Sequence, residues 1–115
     1  MNNDINVFDG VGTVGDHNSM YFGVIVGTPP VNTFCLSMFK DRVDKDGNVW
    51  KDKTYINVIT YSDDLAELFA KLRPGDRVHV NGPLVNLLYS RGGKFQQIPA
   101  IKASAVNLLA RLPRD

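Results

Sequence analysis

The chain has 115 residues, a nearly neutral net charge of +1 and a hydrophobic fraction of 43%, values that fit one globular domain with a single core. No apolar run is long enough to cross a bilayer, and the polar start at residues 1–4 is unlike a signal peptide. The single cysteine excludes an intramolecular disulfide and a thiolate metal cluster. We therefore expect one cytoplasmic domain over residues 1–115, with flexible ends at 1–4 and 112–115.

The N-terminal part predicts short strands separated by loops. Residues 5–15 alternate loosely, with glycines that suit the bends of a small barrel. Residues 16–19 are polar and loop-like, and residues 20–26 are apolar, which predicts a strand or a strand extension. Residues 31–39 alternate polar and apolar side chains, as a half-buried strand does.

A charged hairpin and a third strand follow. Residues 40–53 mix charges of both signs and predict a long hairpin that reaches beyond the barrel and turns at residues 46–47. Residues 55–61 predict the returning strand, with Tyr55 and Tyr61 on one face. Periodicity does not decide which face is buried, so the two rings are either packed or exposed.

Residues 63–72 carry the helix signals. Leucines and Phe69 recur at helical spacing, Asp64 with Glu67 fits a capping box in which Asp64 is the N-cap, and Pro74 follows the end.

Two further strands complete the pattern, at residues 77–89 and 94–109, joined by a turn at 90–93. The sum is a mainly β chain of about five strands with one short helix between strands 3 and 4. This is the element order of an OB-fold, a five-stranded Greek-key barrel whose strand face and loops bind oligonucleotides or oligosaccharides.

Five sequence pieces, in this order and spacing, carry a resemblance to a known family. They are Val11-Gly12-Thr13-Val14-Gly15-Asp16, residues 32–37, residues 55–61, Asp64-Leu65-Ala66-Glu67 and residues 72–82. Over residues 8–111 the chain resembles bacterial and phage single-stranded DNA-binding proteins, the SSB family. The resemblance implies an OB-fold that binds single-stranded DNA during replication or recombination. The residues themselves show no catalytic, phosphate-loop or metal motif, so we expect no catalysis, cofactor or metal. The resemblance also implies a homodimer or homotetramer, which we expect to form along residues 7–14.

The resemblance also indicates which side chains meet DNA. Members of the family stack bases on aromatic side chains, and the matching positions are Tyr55, Tyr61, Tyr89 and, approximately, Phe39. Trp50 joins them because a tryptophan among charged neighbours is expected to be partly exposed; it either stacks a base or contacts a second subunit. The candidate phosphate-binding cations are Lys40, Arg42, Lys45, Lys51, Lys53, Arg77, Arg91 and Lys94.

The remaining chemistry-bearing residues favour a structural role. Phe22, Phe34, Phe69 and Cys35 are expected in the core, Phe95 is either buried or exposed, and two separated histidines do not make a metal site.

Two features leave alternatives open. The near-neutral charge is modest for a nucleic-acid binder. The sequence also lacks the long tail with an acidic, hydrophobic end that is typical of cellular SSB proteins, which suggests a phage- or plasmid-encoded member. An OB-fold adaptor between replication proteins and an RNA-binding OB protein are therefore the competing hypotheses.

Overall fold

The computed structural model describes residues 4–15 and 24–111. Phe22, the predicted loop at 16–19 and most of both predicted flexible ends lie outside the described residues. The elements are β1 (Phe8–Val14), β2 (Val24–Ile25), β3 (Asn32–Val43), β4 (Val49–Thr60), α1 (Asp63–Lys71), β5 (Arg77–Gly82), β6 (Leu84–Arg91), β7 (Lys94–Lys102) and β8 (Ala105–Ala110).

The mainly β architecture with a single helix is as predicted and is consistent with an OB-fold, but the count of five strands is wrong. The described residues form eight strands. The predicted strand at 77–89 is interrupted at Pro83, which has no backbone N–H to donate to a neighbouring strand. The predicted strand at 94–109 bends at Ala103 and Ser104, and β2 is an added short strand.

The strands form one sheet in the order β2-β6-β7-β4-β3-β1-β5-β8. Its neighbours are antiparallel except β4 and β7, which pair in parallel from Asn57↔Ala100 to Ile59↔Lys102. Because only two residues separate β7 from β8, the same segment lies beside β4 and then beside β5. The sheet therefore curls around a core instead of lying flat.

The core lies inside this curl and beneath the helix. Val58, Val78, Val80 and Ile101 are fully buried there, and the Phe34 ring packs edge-on against Phe69 with 4.8 Å between ring centroids. A second, smaller cluster joins Ile59, Leu87 and Ala100. Val58 and Ile59 are neighbours with opposite side-chain directions, so the end of β4 is buried on both of its faces.

The helix begins at Asp63, as predicted, but its N-cap lies two residues before the predicted one. Ser62, and not Asp64, is the N-cap, since Ser62 is extended and its Oγ accepts a hydrogen bond from the Leu65 N–H at 3.5 Å. Asp63 and Asp64 lie in the first turn, where negative charge interacts favourably with the helix dipole. Asn32 donates its side-chain amide to the Ala66 carbonyl at 3.1 Å, which fixes the helix against β3.

A buried carboxylate fastens the end of β8 to the turn before β5. Asp76 is 1% exposed and accepts hydrogen bonds from the Arg73 N–H at 2.8 Å and from the Arg111 Nε and Nη2 at 3.3 and 3.2 Å. Burial acts to raise the pKa of Asp76, but these hydrogen bonds and the nearby positive charges outweigh it and hold the pKa below its ordinary value.

Gly82 lies close against the backbone of the bend between β7 and β8. A Cβ placed on Gly82 would lie 2.1 Å from the Lys102 carbonyl oxygen. Ser104 N–H donates to the Asn81 carbonyl at 2.7 Å beside this contact. The bend between β7 and β8 therefore depends on the missing side chain at position 82.

Candidate nucleic-acid interface

The long hairpin predicted at residues 40–53 is confirmed, and it extends away from the curled sheet. β3 and β4 pair along their whole length, from Asn32↔Thr60 to Val43↔Val49. β1 pairs with β3 only at Ser37 and Leu36, and β7 pairs with β4 only at residues 57–59. Residues 39–55, called the arm below, therefore pair only within the β3–β4 ladder and have no third strand beside them in the part of the chain that the structure describes.

One face of the arm carries two exposed aromatic rings and two lysines. Phe39 is 51% exposed and Tyr55 48% exposed. The Lys53 Nζ lies 5.2 Å from the centroid of the Phe39 ring, its cross-strand partner. Lys51 and Asp41 follow on the same side toward the tip, so we call Phe39, Asp41, Lys51, Lys53 and Tyr55 the Tyr55 face. This face offers flat apolar surfaces beside positive charge.

The other predicted arm residues lie on the opposite side. Trp50 is paired with Arg42, and Lys40 with Asp52. Since these positions are an odd number of residues from Tyr55 and Phe39, their side chains point away from the Tyr55 face. We call Lys40, Arg42, Trp50 and Asp52 the Trp50 face. The prediction grouped all of these residues into one site, and the structure divides them between two.

The turn at the tip of the arm orients the Trp50 ring. The Asp44 carboxylate accepts hydrogen bonds from the Trp50 Nε1–H at 3.1 Å and from the Asp46 and Asn48 N–H groups at 2.9 Å each. The hydrogen bond from Trp50 is the main cause of a lowered pKa at Asp44, and the bonds from the turn N–H groups add to it. Gly47 takes the positive φ of +83° that this turn requires. The indole is 54% exposed yet held by the turn.

Tyr61 lies apart from the arm, at the other end of β4. It follows the last residue of the strand, is 41% exposed, and has the Lys102 Nζ 5.6 Å from its ring centroid. The structure therefore answers the question that periodicity left open. The rings of both Tyr55 and Tyr61 are partly exposed, although Asn57 and Ile59 between them are buried.

The expectation that Tyr89 is exposed is wrong. Tyr89 is 6% exposed and lies on β6, where β2 places Ile25 beside it and β7 places Gln96 beside it. Its hydroxyl donates a hydrogen bond to the Gln96 Oε1 at 2.6 Å. The turn predicted at 90–93 is tighter than expected, because β6 and β7 continue to the pair Arg91↔Lys94. Tyr89 is therefore a packed strand residue and presents no ring face to a base.

The remaining predicted cations are distributed around the molecule. Arg91 and Lys94 are exposed at the tip of the β6–β7 hairpin, next to Phe95, which is 69% exposed. Lys45 is exposed in the arm turn. Arg77 is on β5, separated from β4 in the sheet by β3 and β1, and its Nη1 donates to the Thr13 Oγ1 at 3.0 Å. Arg77 is therefore not part of the arm surface.

Asn57 is a residue that the sequence analysis did not single out. It is 1% exposed, and its Oδ1 and Nδ2 have no hydrogen-bond partner among the described residues. It stands next to the Tyr55 face along β4 and lines a cavity of about 430 Å³. The other lining residues are Phe8, Met38, Thr54, Tyr55, Ile56, Leu84, Ile98 and Pro99. An asparagine in a strand of alternating polar and apolar residues is ordinary, so the sequence does not indicate that Asn57 is buried.

Residues 4–15 and 24–111 contain neither a metal-binding cluster nor a membrane-spanning helix. No group of three or more His, Cys, Asp or Glu side chains there could hold a metal ion. No helix in those ranges has the length and apolar character needed to cross a membrane.

Comparison with known proteins finds similarity in structure only. No protein-family profile and no curated protein sequence matches the chain. Solved structures that share its fold include the following three. The Plasmodium falciparum SSB complex with single-stranded DNA is 22% identical at a TM-score of 0.70, covering 96% of this chain and 100% of that one. The small single-stranded DNA-binding protein of Streptomyces coelicolor is 20% identical at a TM-score of 0.58, and the match covers 89% of this chain and 92% of that one. A deletion mutant of the Thermus aquaticus single-stranded DNA-binding protein is 16% identical at a TM-score of 0.66, and the match covers 92% of this chain and 51% of that one. At these identities the likeness establishes a shared fold, in agreement with the fold that the sequence resemblance implied.

Proposed function

We propose that this chain is an SSB-family protein that binds single-stranded DNA without sequence preference and protects it during replication or recombination. The observation that carries the proposal is the Tyr55 face. Two rings, each about half exposed, stand beside lysines on an open arm, in a fold shared with single-stranded DNA-binding proteins. The role is binding and not catalysis.

Base stacking gives this surface its affinity. Every base has a flat π-face, so a ring such as Tyr55 or Phe39 stabilises a single strand by about 1–3 kcal/mol per stacked base with little sequence preference. Lys51 and Lys53 neutralise phosphates between the stacked bases, which makes the affinity fall as salt rises. The apolar cavity beside Tyr55 adds room for part of a base at the inner end of the arm.

Other predicted residues extend the proposed path beyond the arm. Tyr61 with Lys102 provides a second ring and cation at the far end of β4. Arg91 and Lys94 provide positive charge at the tip of the neighbouring hairpin. We assign Tyr89 no direct contact with DNA.

Self-association is part of the proposal, as a homodimer or homotetramer. β1 pairs with β5 from Phe8 to Thr13, but with β3 only at Thr13 and Val14. Along residues 8–12 the other edge of β1 thus has no strand partner within the described chain, and an open edge favours pairing with a second copy. Val7 and Val11, 62% and 43% exposed, add apolar surface there. Equilibrium sedimentation that shows only monomer at tens of micromolar protein would contradict this.

The function is tested by titrating a labelled oligo-dT with protein at low and high salt and measuring fluorescence anisotropy. We expect micromolar or tighter binding that weakens with salt. Tyr55→Ala should weaken it about 5- to 150-fold, as expected from the loss of one stacked base. Tyr55→Phe is the matched control, since it keeps the ring and should bind like the parent.

The competing hypotheses have distinct outcomes in the same assay. Absence of salt-sensitive binding at micromolar protein would refute the proposal and favour the adaptor role. Stronger binding to a matched RNA oligomer in competition would favour an RNA-binding protein. The structural neighbours give the adaptor hypothesis no support.

A further inference from the structure

The Trp50 face has features that the Tyr55 face does not explain. Trp50 is 54% exposed and is not a member of either buried cluster. Its cross-strand partner is Arg42, and Lys40 lies two residues further toward the barrel on the same face. The same arm thus presents an aromatic ring and cations on each of its two sides.

The ring of Trp50 is oriented before any ligand binds. The Asp44 carboxylate holds the indole Nε1–H at 3.1 Å, and the same carboxylate is anchored by two backbone N–H groups of the turn. An exposed side chain normally loses rotamer freedom when it binds a ligand, at a cost in free energy. At Trp50 much of this ordering is already provided by the turn, which is a property suited to binding.

The arm has two edges over which a flexible strand can pass. Between residues 39 and 55 neither β3 nor β4 has a further strand partner among the described residues. Trp50 and Tyr55 are five positions apart, which is roughly 17 Å along β4. A nucleic acid that leaves the Tyr55 face at an arm edge therefore reaches the Trp50 face within a few nucleotides.

We propose that the arm binds one single strand on both of its faces, with a base stacked on Tyr55 and another, further along the same strand, stacked on Trp50. This rests on the proposed function and deepens it, because it makes the occupied length of DNA depend on both faces. Short oligomers engage the Tyr55 face alone, and longer ones cross the edge of the arm.

Charge favours nucleic acid as the occupant of the Trp50 face. Arg42 lies opposite Trp50 and Lys40 is the next residue of β3 on the same face. The carboxylates on this side are already engaged, Asp44 by the indole and the turn N–H groups, and Asp52 in an exposed pair 3.7 Å from the Arg42 Nε. An exposed ion pair of this kind is worth little and is readily exchanged. A phosphate can therefore take the place of Asp52 beside Arg42, and the guanidinium fork suits it.

The test uses the only tryptophan of the chain, so indole emission reports on Trp50 alone. Oligo-dT of about 4 and about 16 nucleotides, spanning the site sizes found for one OB-fold, are titrated into the full chain. We expect the longer oligomer to quench the indole emission and the shorter one to leave it unchanged. Trp50→Ala should weaken binding of the longer oligomer about 5- to 150-fold and leave binding of the shorter one unchanged.

Leu109→Ala is the matched control, because Leu109 is a half-exposed apolar side chain like Trp50 (both 54%) but lies on β8, outside the arm. It should bind both oligomers like the parent, and far-UV circular dichroism should show that both variants keep their strand content.

Three outcomes decide between the hypotheses. If the longer oligomer binds and Tyr55→Ala weakens it, while the indole emission and the affinity of Trp50→Ala stay unchanged, the two-face inference is wrong and the proposed function stands. If neither oligomer binds, both fail. If Trp50→Ala changes the sedimentation of DNA-free protein and leaves DNA affinity unchanged, the face contacts protein, which also overturns the inference.

Discussion

Asp76→Asn keeps the size of a buried side chain and removes its charge. The carboxylate accepts hydrogen bonds from Arg73 N–H and from two nitrogens of Arg111, and its side chain is 2% exposed. Breaking a buried ion pair costs about 3–5 kcal/mol. The Arg111 side chain is 34% exposed, so water can solvate it once the partner charge is gone. We therefore expect Asp76→Asn to lower the free energy of unfolding by about 3 kcal/mol at neutral pH, the lower end of that range.

The pH dependence follows from the lowered pKa of Asp76. A carboxylate with a depressed pKa stabilises the fold fully above its unfolded-state pKa of about 3.9, and this contribution is lost as the pH falls through the folded-state value. The difference between parent and Asp76→Asn should therefore be largest at neutral pH and should shrink below about pH 3.9.

Urea unfolding followed by far-UV circular dichroism measures both effects, provided that the m-value stays constant. Asp41→Asn, which removes an exposed carboxylate on the arm, is the control and should change the free energy of unfolding by less than about 0.5 kcal/mol. A loss below about 1 kcal/mol for Asp76→Asn, or one that is the same at acid and neutral pH, would refute the reasoning.

Two further predictions concern the barrel. Gly82→Ala should lower the free energy of unfolding by at least about 1–3 kcal/mol, because its Cβ would meet the Lys102 carbonyl oxygen at 2.1 Å. Gly15→Ala is the control and should be tolerated, since the nearest atom to its Cβ is 3.5 Å away. Equal melting temperatures for the two variants would contradict the packing argument. Tyr89→Phe should cost about 0.5–1.5 kcal/mol of stability through the lost bond to Gln96 and leave oligo-dT affinity unchanged; weakened DNA binding with unchanged stability would instead return Tyr89 to the binding surface.

Much of the arm and helix could be predicted from local sequence. Mixed charges around an Asp-Gly pair indicated a hairpin, and helical spacing of apolar residues indicated α1, because both signals act over a few residues. The opposite orientation of Trp50 was also available from sequence, since it lies an odd number of positions before Tyr55 on one strand. That signal requires both residues to be in the same unbroken strand, which β4 confirms.

Contacts between distant segments could not be predicted in this way. Tyr89 is buried because β2 and β7 lie on either side of it, and those strands are specified elsewhere in the chain. Asp76 and Arg111 are 35 residues apart in sequence. Alternation continued across Pro83 and across the bend at Ala103, so the strand count was too low. Each of these features depends on tertiary pairing, which the pattern of a single sequence does not report.

The bend between β7 and β8 also affects the order in which the molecule can be completed. β4 receives its second neighbour only from residues 100–102, and β5 receives its second neighbour only from residues 105–110. Pairings between such distant segments incur loop-closure entropy before they stabilise the fold, and they make folding slow. On the ribosome, β5 therefore lacks its second strand neighbour until β8 has emerged, and a nascent chain that stops at Lys102 leaves that edge of β5 unpaired.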